Sequence, residues 1–136
     1  MAFSFEYHEM SKYVKDFQRV GEKEWKDFLK GFLAEMAQRI LAKTKEKTPV
    51  DTGNLRSSWQ VGEPYFSGKD LCCEIKNGAE YASFVEYGHR IVRGGTEIGW
   101  HEGRFMLRIS TEEIRRQMPL RFAKEFAQFC KEHGVG

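Results

Sequence analysis

The sequence predicts an α+β protein in which an antiparallel sheet of three to four strands packs against a long N-terminal helix and a C-terminal helix. Three observations predict this class: a long apolar stripe at helical spacing before residue 48, short strand-like segments between residues 55 and 76, and a second helical repeat after residue 110. The chain has 136 residues, of which 40% are hydrophobic and 14% aromatic, enough to build one core. We therefore predict a single domain over residues 1–136.

The N-terminal part of the chain is predicted to be helical. Pro49 disfavours helical geometry at Thr48, so the long helix should span about residues 22–47. A shorter helix over about residues 9–20 is predicted within an N-terminal helical segment at residues 1–21, with Gly21 as the joint. The stripe of the long helix is formed by apolar residues at steps of three and four: Trp25, Phe28, Leu29, Phe32, Leu33, Met36, Ala37, Ile40 and Leu41.

The middle of the chain changes to strand-like segments bounded by turn residues. Residues 55–61 and 71–76 are predicted to form an antiparallel pair, because Gly62, Pro64, Gly68 and Asp70 separate them. Residues 81–87 fit both one turn of helix and an alternating strand, and the sequence leaves both open.

A glycine-rich segment at residues 88–103 is predicted to form a protruding β-hairpin arm. It contains five glycines in sixteen residues, and Gly94-Gly95 lies between two strand-like runs, where a two-residue hairpin turn would fall. Such an arm has little side-chain volume to pack on its own domain, so we expect neighbouring molecules to order it.

The C-terminal helix is predicted to begin at Ser110, because Ser110 and Glu113 have the spacing of a capping box. Apolar residues then follow at steps of four. Pro119 lies inside this run and predicts either a kink or two abutting helices.

Charge and composition exclude several classes of protein. The chain has 22 Lys and Arg against 20 Asp and Glu, so no uniform positive field is available for nucleic acid or an anionic membrane. The distribution is uneven: residues 51–103 carry eight acidic and five basic side chains, whereas residues 104–136 carry four and seven. The chain contains neither a run of 18 apolar residues nor a basic region followed by an apolar run at its start, so no membrane span or signal peptide is expected.

Asp51-Thr52-Gly53 is the tripeptide that carries the catalytic carboxylate of aspartic proteases, some of which work as homodimers. That chemistry needs an almost all-β fold with two carboxylates sharing a proton. Here the tripeptide follows a Lys-rich helix end, and a turn explains each residue type: Asp51 accepts backbone amides and Gly53 takes a positive φ. The turn is the favoured interpretation.

Other candidate groups for chemistry are weaker. His89 and His101, with Glu86 and Glu102, could gather a metal ion, but their spacing matches no ligand motif and ordinary surface or interface residues are favoured. Cys72 and Cys73 alternate on a strand, so at most one of them is expected within the core, and with the distant Cys130 they read as reduced thiols. The basic residues Arg115, Arg116, Arg121 and Lys124 favour a solvated helix face over contact with DNA or an acidic neighbour. No cofactor is expected.

Three motifs together resemble one protein family. They are TPVDTGNLRSSW at residues 48–59 after a long amphipathic helix, YASFVEYGHR at residues 81–90, and GRFML at residues 103–107. In this order they resemble the gene-product-ten-like family of tailed bacteriophages and prophages, over roughly residues 22–125. The signature positions map onto Pro49, Asp51, Thr52, Gly53, Leu55, Tyr81, Ala82, Glu86, Gly88 and Arg90.

The resemblance implies a non-enzymatic virion subunit of the neck or tail-completion type, made in the bacterial cytoplasm and then carried in the virion at the head-to-tail junction. It implies a homo-oligomer, with six copies around the DNA channel, a head-completion or connector protein on one side and a tail-tube or tail-terminator protein on the other. DNA would be only passing cargo, and no membrane is involved. A small aspartic-protease-like or metal-dependent hydrolase, and a prophage-encoded nucleic-acid-binding regulator, are the alternatives.

Subunit contacts are expected from the arm and its flanks, because a closed ring requires one face of each copy to match a different face of the next. Arg90 or Arg93 of one copy is expected to reach Glu86 or Glu63 of its neighbour. The full set of expected interface residues is Glu63, Glu86, Arg90, Arg93, Trp100, Arg104 and Phe105.

Overall fold

The computed structural model describes residues 2–6, 21–50, 53–68 and 70–134 of the chain. These residues form an α+β structure, as predicted. The helices are α1 (Glu22–Lys47), α2 (Asn54–Ser57), α3 (Ala82–Tyr87) and α4 (Met106–Glu132). The strands are β1 (Ala2–Glu6), β2 (Trp59–Val61), β3 (Tyr65–Ser67), β4 (Asp70–Asn77), β5 (Gly88–Arg93) and β6 (Thr96–Glu102).

The sheet is built around β4, which pairs antiparallel with β1, β2 and β3. Cys72 pairs with both Glu6 of β1 and Tyr65 of β3, so these two strands lie on opposite edges of β4. Alternate residues of β4 are buried in the core, among them Cys73 and Ile75. Cys72, on the other face of the strand, is also buried, although it is not part of the main core cluster.

α1 and α4 form an antiparallel pair, and α1 also contacts β2 and β4. At one end of the pair Trp25 and Phe28 of α1 pack on Phe129 near the end of α4, with ring centroids 5.8 and 4.5 Å away. At the other end Lys43 and Lys47 of α1 pair with Glu113 near the start of α4, with N···O distances of 3.2 and 3.4 Å. The predicted apolar stripe of α1 therefore packs against both the sheet and α4.

The N-terminal prediction is wrong where it can be compared. Residues 2–6 form strand β1, whereas the sequence predicted a helical segment over residues 1–21. The alternating AFSFE sequence suits a strand paired with β4, whereas a short isolated helix is only marginally stable in water. The helix predicted at residues 9–20 lies outside the described residues.

The start of α4 also differs from the prediction. The helix begins at Met106, four residues before the predicted capping box. Ser110 therefore lies in the second turn, where its hydroxyl donates to the Met106 carbonyl at 2.7 Å. α4 then continues through Pro119 to Glu132 as one helix, so the prediction of two abutting helices is wrong.

The hairpin of β5 and β6 confirms the predicted arm. Its turn is Gly94-Gly95, with φ angles of 59° and 79°, the left-handed values that a two-residue hairpin turn requires. Outside the hairpin itself, its main contact among the described elements is with α3. Residues 81–87, for which the sequence left two states open, form α3. None of the described helices is long and apolar enough to cross a membrane.

Candidate interaction site

The first motif closes a turn between α1 and β2. The Thr48 hydroxyl donates to the Thr44 carbonyl at 2.6 Å and accepts the indole N–H of Trp59 at 3.0 Å, and all three residues are buried. Gly53 has the predicted left-handed φ, 76°. Thr48 and Trp59 thus hold together the two ends of the segment that contains Asp51 and Thr52, which themselves lie outside the described residues.

A buried asparagine joins the first motif to the second. The Asn77 side-chain amide donates to the Leu55 carbonyl at 2.8 Å, and its oxygen accepts the Ala79 N–H at 2.9 Å. Nearby, the Asn54 side-chain amide donates to the Tyr81 hydroxyl at 3.4 Å. These contacts place α2, which lies in the first motif, beside the start of α3, which lies in the second.

Glu86 of the second motif caps α4. Its side chain is 1% exposed. One carboxylate oxygen accepts the Leu107 N–H at 2.9 Å and the other accepts the Arg108 N–H at 3.0 Å. Both are N–H groups of the first helical turn, which have no partner within the helix. The carboxylate also lies at the positive end of the helix dipole, which stabilises its charge.

The third motif approaches α3 closely enough to exclude a side chain at Gly103. An added Cβ there would lie 2.5 Å from the Glu86 carbonyl oxygen and 2.6 Å from the Tyr87 carbonyl carbon. The backbone N–H groups of Arg104 and Phe105 donate to Val85 and Glu86 at 2.8 and 2.9 Å. These bonds continue the base of the hairpin into the start of α4, and Phe105 takes a left-handed φ of 48° to make the turn.

The outward side of α3 is aromatic. Tyr81, Phe84 and Tyr87, at steps of three, are 39%, 53% and 53% exposed, whereas Ala82 and Glu86 on the inward side are buried. We call these three residues the aromatic face. Short helices usually direct their large apolar residues inward, so an aromatic outward side is a candidate surface for contact with another molecule.

Cationic residues border the aromatic face. The Tyr87 ring packs edge-on against Phe105, with centroids 6.5 Å apart, and the Arg108 guanidinium lies 5.6 Å from the Phe105 ring centroid. Arg104 is exposed and its backbone bonds to α3. A cavity of about 200 Å³ opens beside Tyr87, and the charged residues that line it are Glu86, Arg108, Glu112 and Arg115.

A second charged surface lies on the sheet. The Gly62 N–H donates to the Glu74 carbonyl at 2.9 Å, which brings the exposed Glu63 next to the exposed Glu74. Burial raises the pKa of the Cys73 thiol to about 11, and the charges of these two glutamates add to the shift. We call Glu63, Glu74 and the exposed Tyr65 the acidic edge. Neither glutamate has an ion pair with another residue in the part of the chain that the structure describes.

The predicted interface residues fall into different environments. Trp100 on β6 is 54% exposed, Glu63 and Arg104 are exposed, and Phe105 is half-buried. Arg90 and Arg93 lie in β5, but their side chains are outside the description. The role predicted for Glu86 is corrected: because the carboxylate is buried and both oxygens already accept backbone N–H groups, it is not offered to a neighbouring molecule.

Among the groups considered for catalysis, Asp51 and the side chains of His89 and His101 lie outside the described residues. His89 and His101 pair across β5 and β6 in the hairpin, while Glu86 is used by α4. Within the described residues, no group of three or more His, Cys, Asp or Glu side chains could hold a metal ion.

Comparison with protein families gives one match. The model of a family described as "Bacteriophage HK97-gp10, putative tail-component" matches residues 10–88, more than half of the chain. The chain belongs to this HK97-gp10-like family. No curated protein and no solved structure matched it.

In this HK97-gp10-like chain, the sequence did not reveal that Glu86 caps α4. The matched region ends at residue 88 and contains Glu86, but the N–H groups that Glu86 binds belong to Leu107 and Arg108 beyond it. A cap of this kind has no local spacing pattern, unlike a capping box. The aromatic face did carry a signal, because three aromatic residues at steps of three are visible in the sequence once residues 81–87 are taken as a helix.

Proposed function

We propose that this protein is a non-enzymatic structural subunit of a phage or prophage particle, located at the junction between head and tail. The family match supports a phage tail component, and the position at the junction is our extension of it. The observation that carries the proposal is the aromatic face, a set of exposed rings on α3 beside Arg104 and Arg108. Aromatic residues and arginine are the side chains most enriched in protein–protein interfaces.

The hairpin supports the same role. β5 and β6 extend from α3 and make few contacts with the rest of the described structure, yet β6 presents the exposed Trp100. An arm of this kind gains buried area only by contact with another molecule. In a particle, the aromatic face and the arm would serve two different neighbours.

The proposed partners follow from this arrangement. Copies of the chain would form a ring, with six copies as our working number, around the DNA passage. A head-completion or connector protein would lie on one side and a tail-tube or tail-terminator protein on the other. The protein would be assembled in the bacterial cytoplasm and remain in the virion, with DNA only passing through and no membrane involved.

Deletion of the gene in the phage or prophage that encodes this chain tests the location. Negative-stain electron microscopy of induced lysates should show filled heads and separate tails, and expression of the wild-type protein in trans should restore joined particles. Joined, infectious particles at wild-type yield without the protein would refute the proposal.

Complementation with point variants tests the observation that carries it. Phe84→Ala should restore joined particles poorly, because it removes one exposed ring of the aromatic face. Leu120→Ala is the matched control, since Leu120 is 78% exposed on α4 away from α3, and should complement fully. Equal complementation by both variants would remove the aromatic face from the argument.

A further inference from the structure

We propose that the aromatic face of one copy docks on the acidic edge of the next copy, with Arg104 and Arg108 opposite Glu63 and Glu74. This inference rests on the proposed function, since it names which surfaces of the subunit meet in the ring. It replaces the pairing of Arg90 or Arg93 with Glu86 or Glu63 that the sequence suggested.

The aromatic face and the arginines beside it have the composition typical of the centre of a protein–protein interface. Tyr81, Phe84 and Tyr87 supply exposed aromatic area, and Arg108 lies over the half-buried Phe105 ring that Tyr87 also contacts. The ion pair between Arg108 and Glu112 is weak, because its N···O distance is as long as 3.5 Å and both side chains are more than half exposed. Arg108 can therefore pair with a carboxylate of another molecule instead. A partner for this surface needs negative charge and at least one apolar contact.

The acidic edge meets that requirement within the same chain. Glu63 and Glu74 are both exposed, and the bond from the Gly62 N–H to the Glu74 carbonyl holds the backbone next to Glu63 against β4. Two exposed carboxylates on neighbouring segments favour a cationic partner. Tyr65 beside them is 41% exposed and supplies the apolar contact. The uneven distribution of charge along the chain, acidic over residues 51–103 and basic over residues 104–136, agrees with this pairing.

The two surfaces lie on different elements, which head-to-tail assembly requires. The aromatic face and its arginines belong to α3 and the start of α4, whereas the acidic edge belongs to the sheet. One copy can therefore offer the first surface while it receives a neighbour at the second, so the contact is heterologous and can close into a ring.

Charge reversal in the full-length protein tests the pairing. One variant carries Arg104→Glu and Arg108→Glu, and the other carries Glu63→Lys and Glu74→Lys. Sedimentation velocity at low ionic strength should show concentration-dependent association of the wild type and, because like charges then face each other, at least about tenfold weaker association of either variant alone. An equimolar mixture of the two variants should associate again, since each reversed surface then meets its complement.

The control variant carries Lys124→Glu and Lys131→Glu, on an exposed part of α4 away from α3. These substitutions change the net charge by the same amount as Arg104→Glu with Arg108→Glu. It should associate like the wild type. A wild-type protein that stays monomeric at every concentration, or a variant mixture that associates no better than its components, would overturn the inference. So would equal loss of association in the control, because net charge alone would then explain the result.

This outcome can be separated from failure of the proposed function. If gene deletion separates heads from tails but the mixed variants do not reassociate, the location at the junction stands and this interface is wrong. If deletion leaves joined particles intact, the proposed function fails whatever the purified protein does. Circular dichroism of each variant confirms that the chain is folded before association is measured.

Discussion

At the residue scale, loss of the Glu86 carboxylate is expected to destabilise the protein strongly. Glu86→Ala removes the acceptors of the buried Leu107 N–H and of the partly buried Arg108 N–H. We expect the free energy of unfolding to fall by about 2–3 kcal/mol, at the upper end of the range for helix caps because the Leu107 N–H is buried. Urea unfolding monitored by Trp fluorescence measures it.

Glu112→Ala is the matched control for that prediction. Glu112 lies in α4, the helix that Glu86 caps, and is exposed; its carboxylate contacts the Arg108 guanidinium at 3.5 Å. The free energy of unfolding should change by no more than about 0.5 kcal/mol. If the two variants were equally destabilised, the effect would arise from lost helical charge rather than from the cap.

The Cys73 thiol should react slowly with thiol reagents in the folded protein. Burial, followed by the charges of Glu63 and Glu74, raises the pKa of its thiol from 9.0 to about 11. Since only the thiolate reacts, a two-unit rise lowers the reactive fraction about a hundredfold near pH 8. In a variant with Cys72→Ala and Cys130→Ala, the reaction with Ellman's reagent should be at least that much slower in the folded protein than in urea. Equal rates would contradict the buried position.

At the element scale, the close contact between Gly103 and α3 predicts a strong effect of a single methyl group. Gly103→Ala would place its Cβ within 2.8 Å of three backbone atoms, which cannot move without displacing α3 or the start of α4. We expect a loss of about 2–3 kcal/mol in the free energy of unfolding, in the range for overpacked sites. Urea unfolding measures this change.

Gly31→Ala, which also adds a single methyl group, is expected to increase the free energy of unfolding instead. Gly31 is exposed on α1, and a Cβ there meets no atom within 4 Å. Because alanine favours the helix, stability should rise by about 0.5–1 kcal/mol. Destabilisation by both substitutions would show that the contact at Gly103 is not the cause.

The pair of Glu35 on α1 and Glu125 on α4 makes the contact between these helices depend on pH. Burial, together with the hydrogen bond and charge of Glu35, raises the pKa of Glu125 from 4.5 to about 7. The hydrogen bond from Glu125, with help from Arg39 and Arg121, lowers the pKa of Glu35. At neutral pH the two carboxyl groups therefore share one proton for part of the time.

Glu125→Gln should stabilise the protein at pH 8 but not at pH 5. The folded state holds the Glu125 proton more tightly than the unfolded chain, so stability from this group falls as pH rises from about 4.5 to about 7. Glutamine keeps a donor for Glu35 without the charge, and we expect a gain of about 1 kcal/mol at pH 8 after allowance for screening by solvent. Urea unfolding at the two pH values checks it, with the exposed Glu132→Gln as control. An equal gain at both values would contradict it.

Elements with local signals were predictable from the sequence, and those that depend on distant partners were not. The stripe from Trp25 to Ile40 and the Gly94-Gly95 turn carry their own periodicity or turn chemistry, and both are confirmed. β1 owes its state to pairing with β4, more than 60 residues away, and the start of α4 to Glu86. The capping box at Ser110 was misleading because a stronger, non-local cap had already started the helix.

For the candidate site, the sequence identified the positions but not their uses. Tyr81, Ala82, Glu86 and Gly88 were singled out as a group, and the structure divides them into an outward aromatic part and an inward structural part. Only the backbone placement of Leu107 and Arg108 could show that Glu86 is committed within its own chain.

At the scale of the whole molecule, the hairpin should be separable from the domain. Replacing residues 91–99 by Asn-Gly would join the paired residues Arg90 and Trp100 by a two-residue turn and keep the base of the hairpin. Since the hairpin's main described contact is with α3, the free energy of unfolding should change by less than about 1 kcal/mol. The yield of joined particles should nevertheless fall. Full complementation by the shortened protein would exclude a role for the arm.

The pairing of β5 with β6 also has a consequence for the order in which parts of the chain fold. Glu86 and Leu107 are 21 residues apart, a separation that a disordered loop would have to close at an entropic cost. The rungs from Arg93 and Thr96 down to Gly88 and Glu102 instead bring the two ends together one pair at a time, and the bonds of Arg104 and Phe105 complete the sequence. A hairpin of this size zips within microseconds. We therefore expect the first turn of α4 to receive its cap by local steps, so that a slower turn at Gly94-Gly95 would delay the formation of α4.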